Sequence, residues 1–474
     1  MITIDFQNRG KLGLCEYLYI TIKKQIQQGI LKGNEKLPSK RTLAQHLGIS
    51  VITVQNAYNL LIDEGYLYSY EKKGFFVTEL KPSELKKENL PLKNKNFELQ
   101  DFSNAEACKK WFYDFTDNST GVEKFPFRLW SRITKDVLNS AEQKLLSRID
   151  FAGILELREA IAKYLQEFRN MEVNANQVVV GAGTEVLFSM LVQFLGINKT
   201  YAVENPGYRK VAAVIESLGS KCAGIDIDKN GMNLQKLKES KAQIAHISPN
   251  HHFPTGTVMP VLRRQEFLDW AKAEKDRYII EDDYDSEFRF NGKPLPTLQS
   301  ADTSSKVIYI NTFSKTLSPS FRIGFMILPP SLVQPFRKKM GFFSSTVSAF
   351  EQYTLAKFIS SGYYGKHITR MKNYYRSLRN NFINAIESSP LAKNCTIHEE
   401  DSGLHFLLKI KTELKATELK ERFASAGLNI PLLSEYFYTG TKDPNEKEPV
   451  FIINYSGISK NKIEEIVQKM CSVM

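Results

Sequence analysis

The sequence predicts a multidomain chain in which a small helix-turn-helix domain with a β-hairpin precedes a large α/β domain. Three observations carry this prediction: a helix-turn-helix pattern before residue 80, a polar charged stretch at about 81–110, and strands that alternate with helices from Gln177 onward. Such alternation is typical of a largely parallel sheet with helices on its faces. The predicted boundaries are therefore 1–80 for the first domain, 81–110 for a linker and 111–474 for the large domain.

Composition narrows the class of protein. The chain has 474 residues, of which 42% are hydrophobic, so it has room for a large core and does not resemble a disordered protein. Its net charge of +12 is compatible with a polyanionic partner but is weak evidence alone. The five cysteines show no CxxC or metal-type spacing, and neither a signal peptide nor a membrane span is evident, so we expect a soluble cytoplasmic protein.

The N-terminal segment predicts three helices and a hairpin. Apolar residues at helical spacing over 17–30 predict the first helix. Ser39 and Ser50 are the predicted N-caps of two further helices, and Gly48 permits a tight turn between them. Residues 64–77 predict a β-hairpin whose basic, glycine-containing tip could lie along a phosphate backbone. Together these features predict a winged helix-turn-helix.

The stretch 81–110 predicts a flexible tether, because it is rich in charge, contains two prolines and has little apolar periodicity. A solvated helix over 84–88 is the alternative, which would change the reach of the tether but not its function.

The first loop of interest in the large domain follows a predicted strand that begins at Val178. Small residues lead into an amphipathic helix, so the backbone N–H groups of Gly183 and Thr184 at its N-terminus could hold a phosphate. A dinucleotide-binding interpretation fails, because the third glycine of G-x-G-x-x-G would fall on Val186. After the next strand, Tyr208 could stack on a flat heteroaromatic ring, although such an aromatic more often serves packing.

Two later loops offer polar side chains. The adjacent His251 and His252 invite a metal hypothesis, but neighbouring side chains on an extended segment diverge and no cluster of other ligands accompanies them, so we favour a hydrogen bond to a ligand. Asp282 ends a buried strand and can pair with a protonated pyridine nitrogen. Tyr284, two residues on, points the same way and can donate to a ring phenolate oxygen.

Lys315 follows a β-branched, apolar run at 307–310 that predicts a buried strand. Taken alone, it could be an ordinary loop lysine. A partly desolvated lysine at a strand end can, however, lose its proton near neutral pH and form a Schiff base with an aldehyde. Thr312, Ser314 and Arg322 supply donors suited to a phosphate. An aldehyde joined to a phosphate indicates pyridoxal 5′-phosphate (PLP).

Residues 12–78 resemble the winged helix-turn-helix of GntR-type transcription regulators, through "KLPSKRTLAQHLGIS", "TVQNAYNLLIDEGYLYS" and "KKGFFV". An arginine often follows the cap serine in this family, but here the residue is Val51, so one expected phosphate contact is missing. The alternative is a small helical domain with solvated polar faces. By position, the resemblance implies double-stranded DNA as partner and contacts to it from Ser39, Arg41, Ser50, Thr53, Gln55, Lys73 and Gly74.

Residues 110–474 resemble the fold-type I PLP-dependent aminotransferases, a fold with a mostly parallel sheet and a C-terminal α+β small domain. "GAGTEVL", "PGYRK", "HHFPTGTVMP", "IIEDDYDSEF" and "NTFSKTLSP" resemble the MocR-type subfamily, in which a GntR-type domain precedes an aminotransferase-like domain. The resemblance implies a homodimer. It also implies the roles of the site residues: Lys315 as the Schiff-base lysine, Asp282 at the pyridine nitrogen, Tyr284 and His251 near the ring oxygen, Tyr208 stacked on the ring, and Gly183, Thr184, Thr312, Ser314 and Arg322 at the phosphate.

The resemblance also raises the question of the effector. In GabR-type members, which sense γ-aminobutyrate, an arginine from the last strand-to-helix segment clamps the carboxylate; here Gly457 stands where it is expected. Lys210 takes the place of a second basic side chain, and a lysine cannot form a bidentate clamp. Arg209 or Arg370 could contribute instead.

A retained PLP pocket without a carboxylate clamp favours a PdxR-type regulator, in which PLP is the effector and vitamin B6 (PLP) synthesis is the regulated process. Three alternatives stay open: a regulator that senses another amino compound as an external aldimine at Lys315, an aminotransferase with a vestigial DNA-binding domain, and a PLP-binding scaffold protein. We expect weak transaminase activity at most.

Overall fold

The computed structural model describes residues 4, 6–10, 12–79, 111–116, 124–292, 294–399, 403–438 and 448–474. The chain divides into two compact units, 1–109 and 110–474. The predicted linker at 81–110 lies outside the described residues. In the described part of the chain, no helix combines the length and apolar character needed to cross a membrane.

The N-terminal unit is a three-helix domain with a two-stranded wing. Ser39 and Ser50 cap the second and third helices, since each hydroxyl accepts a backbone N–H, from Thr42 and Thr53 respectively, at 3.1 Å. Gly48 ends the second helix with a φ of 65°, a conformation that glycine adopts without strain. The elements are α1 (Leu14–Gln27), α2 (Lys40–Leu47), α3 (Val51–Asp63), β1 (Leu67–Tyr70) and β2 (Gly74–Val77).

Apolar side chains from all three helices form the core of this unit, among them Leu18, Leu43, Val54 and Leu61, which are fully buried. The hydroxyl of Tyr58 donates to the backbone carbonyl of Pro38 at 3.1 Å, so α3 is tied to the segment that precedes α2. β1 and β2 pair antiparallel around a turn at 71–73. The predicted winged helix-turn-helix is therefore confirmed.

The large unit is built on an eight-stranded sheet with the order β4-β11-β10-β9-β8-β5-β6-β7. The neighbours β10/β9, β9/β8, β8/β5 and β5/β6 are parallel, whereas β11 runs antiparallel to both β10 and β4, and β7 runs antiparallel to β6. The strands are β4 (Val178–Gly181), β5 (Thr200–Asn205), β6 (Lys221–Asp228), β7 (Gly231–Met232), β8 (Ile244–Ile247), β9 (Tyr278–Asp282), β10 (Val307–Thr312) and β11 (Gly324–Ile327).

Helices precede the sheet and connect its strands. Every residue of β4, β8 and β10 is buried, as expected for strands with packed layers on both faces. The helices are α4 (Phe127–Ser140), α5 (Glu142–Leu145), α6 (Leu155–Arg169), α7 (Thr184–Leu195), α8 (Arg209–Ser217), α9 (Leu234–Glu239), α10 (Val261–Lys272), α11 (Leu298–Ala301), α12 (Pro330–Met340) and α13 (Ala349–Ser360).

The C-terminal part forms its own hydrophobic core around an antiparallel sheet of order β12-β13-β15. A short parallel pair, β14 with β3, lies at residues 428–429 and 113–114. The fold class predicted from the sequence, a mostly parallel sheet with a C-terminal α+β region, is confirmed. The elements are β3 (Tyr113–Asp114), α14 (Tyr363–Glu387), β12 (Cys395–His398), β13 (His405–Ile410), α15 (Ala416–Ser425), β14 (Leu428–Asn429), β15 (Val450–Asn454) and α16 (Ile463–Cys471).

Strand direction positions the functional loops. β5, β8, β9 and β10 are mutually parallel. β4 has the same direction, because β11 lies between β10 and β4 and is antiparallel to both. Their carboxyl ends therefore lie on one edge of the sheet, the edge where ligands bind in open α/β folds.

Candidate functional site

A cavity of about 210 Å³ opens at this edge, beside Lys315. It brings together eight of the residues predicted from the sequence. Lys210, Ser248, Phe253, Pro319 and Glu185 complete its described lining. The eight predicted residues are Thr184, Tyr208, Asp282, Tyr284, Thr312, Ser314, Lys315 and Arg322.

One end of the cavity collects donors for an anion at the N-terminus of α7. Gly183 precedes α7 with a φ of +91°, and a Cβ at this position would lie 2.6 Å from Nη2 of Arg322. Glycine thus lets the guanidinium approach the start of the helix, whose first N–H groups favour negative charge. Thr312 and Ser314 also line the cavity, and the hydroxyl of Thr312 donates to Oγ of Ser314 at 2.9 Å. These groups suit a phosphate.

Glu185 also lies at this end, and the sequence interpretation missed it. Nη2 of Arg322 donates to its Oε2 at 2.7 Å, and Nζ of Lys210 is 3.9 Å from its Oε1. Partial burial raises the pKa of the Glu185 carboxyl, but a hydrogen bond at its own backbone and the contact with Arg322 outweigh burial, and the pKa is lowered. An acidic residue in the first turn of a helix is common, so the sequence alone offers no signal for this contact.

The part of the cavity at Asp282 is deeply buried. Asp282 is 7% exposed; its Oδ2 is 3.3 Å from Nε2 of His246, while its Oδ1 has no hydrogen-bond partner within the described residues. A buried carboxylate oxygen that lacks a donor is costly, and a protonated ring nitrogen would satisfy it. Burial raises the pKa of nearby Glu204 to about 8, with a smaller contribution from the charge of Asp282.

Tyr284 separates the cavity from His251. The hydroxyl of Tyr284 lies 3.1 Å from Nδ1 of His251, and the same nitrogen is 2.9 Å from Oδ2 of Asp285. His251 does not line the described wall of the cavity; it lies behind Tyr284, where it can orient the phenol. His251 thus contacts a residue that lines the cavity and does not itself belong to the described lining.

The paired histidines do diverge. His252 lies 3.6 Å from Glu204, whereas His251 forms a close group with Asp285 and His405 whose ligand-type atoms lie within 4.8 Å of one another. Nδ1 of His251 contacts Asp285 and Tyr284, and Nε2 of His405 donates to the backbone carbonyl of Pro254 at 3.0 Å. Nε2 of His251 has no hydrogen-bond partner within the described residues.

Lys315 is a half-buried residue that lines the cavity, where the surrounding protein desolvates its amine. Burial lowers the pKa of its amine to about 8, against the opposing effect of the nearby Asp285 charge. A substantial fraction of the amine is therefore neutral, and nucleophilic, slightly above neutral pH. Tyr208 stands at the mouth, 38% exposed, with its ring edge-on to Phe253 at 6.0 Å between centroids.

The predicted DNA-contacting side chains lie on the surface of the N-terminal unit. Ser39, Arg41, Ser50, Gln55 and Lys73 are exposed, and Thr53 and Gly74 are partly exposed. The turn of the wing carries Lys73, whose ammonium lies 5.9 Å from the centre of the Tyr70 ring.

Apolar side chains are exposed at the start of α3: Val51 is 41% and Ile52 70% exposed. An exposed apolar pair next to a helix cap can contact thymine methyl groups, but it cannot replace the charge of an arginine.

Of the four positions considered for a carboxylate clamp, Lys210 lies among the described residues that line the cavity, and the other three do not. Gly457 follows β15, Arg209 donates to the backbone carbonyl of Glu435 at 3.3 Å, and Arg370 lies in a separate surface depression with Lys366 and Tyr363.

Two families match this chain. Residues 116–470 match the family described as Aminotransferase class I and II, and residues 14–77 match Bacterial regulatory proteins, gntR family. The first match covers most of the chain, and the second covers the winged helix-turn-helix.

Three regulators align along 88% or more of this chain. An uncharacterized HTH-type transcriptional regulator of Bacillus subtilis, YdeL, is 35% identical over 468 residues, with 98% of each chain covered. The probable rhizopine catabolism regulatory protein MocR of Rhizobium meliloti is 30% identical, covering 96% of this chain and 92% of its own. The HTH-type pyridoxine biosynthesis transcriptional regulator PdxR of Corynebacterium glutamicum is 29% identical, with 88% and 87% covered.

Solved structures resemble the large unit. The kynurenine aminotransferase of Pyrococcus horikoshii superposes with a TM-score of 0.67 at 20% identity, covering 79% of this chain and 93% of its own. At this identity the likeness establishes the fold.

The cofactor of the aminotransferase class I and II family is PLP, and the residues present fit it. Asp282 offers an oxygen without a donor, Lys315 offers a buried amine, and Arg322 with the start of α7 offers donors for a phosphate. When bound, PLP supplies an aldehyde for the amine and an electron-withdrawing pyridine ring. Asp282 would hold the ring nitrogen, and Tyr284 would donate to the ring oxygen. The chain therefore belongs to the MocR-type GntR transcription regulators, which join a GntR-type DNA-binding domain to a PLP-dependent aminotransferase-like domain.

Proposed function

We propose that this chain is a PLP-responsive transcription regulator that controls genes of PLP synthesis, with PLP itself as the effector. One observation carries the proposal. The described lining of the cavity contains groups for every part of PLP, but its cations besides Lys315 are only Lys210 and Arg322, and both lie beside Glu185. Arg322 is the arginine proposed for the phosphate, and the described lining offers no second arginine that could bind the carboxylate of an amino acid in a bidentate manner.

The similarity to PdxR supports this effector, since that relative is named as a regulator of pyridoxine biosynthesis. The similarity to MocR favours a second candidate, because its name concerns rhizopine catabolism. In that candidate another amino compound reacts with PLP already bound at Lys315 and thereby acts as the effector. A third candidate is an active aminotransferase, which the fold of the large unit would allow.

The proposed organisation is a DNA-binding domain at 1–80, a linker at 81–110 and an effector domain at 111–474. We propose that two copies form a homodimer in the cytoplasm, so that two winged helices contact two operator half-sites. Effector binding changes DNA affinity only if it favours one arrangement of the domains. The residues proposed to contact DNA are Ser39, Arg41, Ser50, Thr53, Gln55, Lys73 and Gly74.

A DNA-binding titration tests the proposal. Fluorescently labelled fragments from upstream of this gene and of PLP-synthesis genes are titrated with PLP-free protein, PLP-loaded protein and Lys315→Ala. The absorbance of lysine-linked PLP is recorded on the same samples. Lys163→Ala is the matched control, because this lysine has a side chain 72% exposed and does not line the cavity.

If PLP is the effector, it changes affinity or footprint for wild type and Lys163→Ala but leaves Lys315→Ala unchanged. If PLP is taken up while DNA binding stays constant, PLP is not the effector, and a screen of amines and amino acids for a DNA response tests the second candidate. Transamination at a rate near that of dedicated enzymes, about 1 to 10³ s⁻¹, would support the third candidate.

A further inference from the structure

We propose that Glu185 is a built-in competitor of the PLP phosphate, and that it sets the PLP concentration to which the protein responds. This inference rests on the proposed function. It concerns the two groups that an anion at the start of α7 would use, the first backbone N–H groups of the helix and the guanidinium of Arg322.

The carboxylate of Glu185 lies beside both. It accepts a hydrogen bond from Nη2 of Arg322 at 2.7 Å, and Glu185 belongs to the first turn of α7. The geometry around Gly183 places the same two side chains together, because a Cβ there would be 2.6 Å from Nη2 of Arg322 and 3.2 Å from Oε2 of Glu185. The carboxylate therefore lies where the donors of the phosphate-binding end converge.

Because both are negatively charged, the Glu185 carboxylate and a bound phosphate would compete for the guanidinium of Arg322. A phosphate monoester carries about −1.5 to −2 charges near pH 7, so it and the Glu185 carboxylate repel each other and share one guanidinium. The Glu185 side chain is 31% exposed, so it can turn toward water and release Arg322, whose side chain is 52% exposed. Whether the phosphate displaces the carboxylate or binds beside it, phosphate binding is weaker than in a protein with a neutral residue at this position.

A sensor benefits from this weakening, because a site that never releases PLP cannot report a change in its concentration. The competition acts on the phosphate alone. It involves Arg322 and the start of α7, and not Lys315 and Asp282, which are the groups proposed for the aldehyde and the ring nitrogen. Binding of pyridoxal, which lacks the phosphate, should therefore be insensitive to Glu185.

The test compares wild type with Glu185→Gln, which keeps the shape and the acceptor oxygen but removes the charge, and with Glu185→Ala. Glu167→Gln is the matched control, because it removes one carboxylate from an exposed position on α6 that does not line the cavity. PLP and pyridoxal are titrated by absorbance. Stabilisation of each protein by inorganic phosphate is measured separately as a shift in melting temperature.

We expect Glu185→Gln to bind PLP about three- to tenfold more tightly, the range of a partly exposed ion pair and a removed like charge. Its melting temperature should rise more with inorganic phosphate than that of wild type, while the pyridoxal affinity and Glu167→Gln stay at wild-type values.

Two results would overturn the inference: a PLP affinity of Glu185→Gln within about twofold of wild type, a difference of less than 0.5 kcal/mol, or an equal gain for pyridoxal. The phosphate measurement decides the matter even for a protein that takes up no PLP. The proposed function is contradicted by a different result: DNA binding that does not change when PLP is added. That result is independent of the ratio between the PLP affinities of Glu185→Gln and wild type.

Discussion

The two functional regions of this protein differ in where they keep their side chains. In the winged helix, Arg41 and Gln55 are exposed on helices whose other faces form the core. In the large unit, Asp282 is buried at the end of one strand and Lys315 is half-buried after the end of the neighbouring strand. The winged helix exposes polar side chains on its surface, where DNA could contact them. The cavity of the large unit instead depends on polar groups that are shielded from water.

This difference in burial determines how strongly substitutions and pH should affect each region. An exposed side chain on the DNA-binding face, such as Arg41, is not part of the core of its domain, so its substitution should change DNA binding and little else. In the cavity, burial itself creates the reactivity, because it lowers the pKa of Lys315 to about 8 and raises that of Glu204 to about 8. Substitutions and pH should therefore have larger effects in the cavity than on the DNA-binding face.

The largest effect is expected from the buried carboxylate. Asp282→Asn removes the charge that would pair with the ring nitrogen, and a buried charged hydrogen bond contributes about 2 kcal/mol, or about thirtyfold in PLP affinity. Asp276→Asn is the matched control, because that aspartate has a side chain 77% exposed. PLP titration by absorbance measures both. Equal affinities for the two variants would show that Asp282 does not hold the ring.

The pH dependence of PLP capture should follow the buried lysine. The neutral amine is the reactive form, so the rate rises as pH passes through a pKa of about 8 and levels off above it. Between about pH 7 and pH 9 the neutral fraction of the Lys315 amine rises roughly tenfold and approaches its maximum. The neutral fraction of a lysine with the ordinary pKa would still be rising steeply at the upper end of this range. Stopped-flow absorbance measures the rate, with Nα-acetyl-lysine as the solution control.

Glu204 titrates in the same range, and it is buried near Asp282. The profile is therefore repeated with Glu204→Gln, which keeps the acceptor for the backbone N–H of Ser248. If the midpoint near pH 8 is retained in this variant, it belongs to Lys315; if it disappears, our assignment of the reactive group is wrong.

A smaller effect is expected on the DNA-binding face. Arg41→Ala removes one exposed cation, which should weaken operator binding about fivefold, or about 1 kcal/mol, and reduce the salt dependence by about one phosphate contact. Melting temperature and PLP affinity should stay unchanged. Lys24→Ala on α1 serves as the control of equal charge, since Lys24 is also exposed. Equal losses for the two variants would indicate a general charge effect.

The smallest effect is expected at a helix cap. Ser50→Ala removes the acceptor for the backbone N–H of Thr53, and loss of such a cap costs about 0.5 to 1 kcal/mol. Hydrogen exchange of the α3 amides in the full chain measures this local cost. Ser69→Ala, at an exposed strand position, should leave α3 exchange unaltered. Faster exchange in both variants would mean that the effect is not a capping effect.

The sequence by itself determined the local structure and the fold class. The helix boundaries could be predicted from Ser39, Gly48 and Ser50, because helix caps and left-handed turns depend on only a few neighbouring residues. The alternation of strands and helices likewise predicted the parallel sheet, and the strand ends correctly indicated which loops would meet around Lys315.

Tertiary structure alone decided which groups touch and what that contact does to their charge. Glu185 and Arg322 are 137 residues apart, and the position of His251 behind Tyr284 follows from the packing of two separate loops. The pKa of Lys315 depends on burial within the assembled cavity. Contacts and desolvation of this kind arise from the register of strands distant in the chain, so no local pattern encodes them.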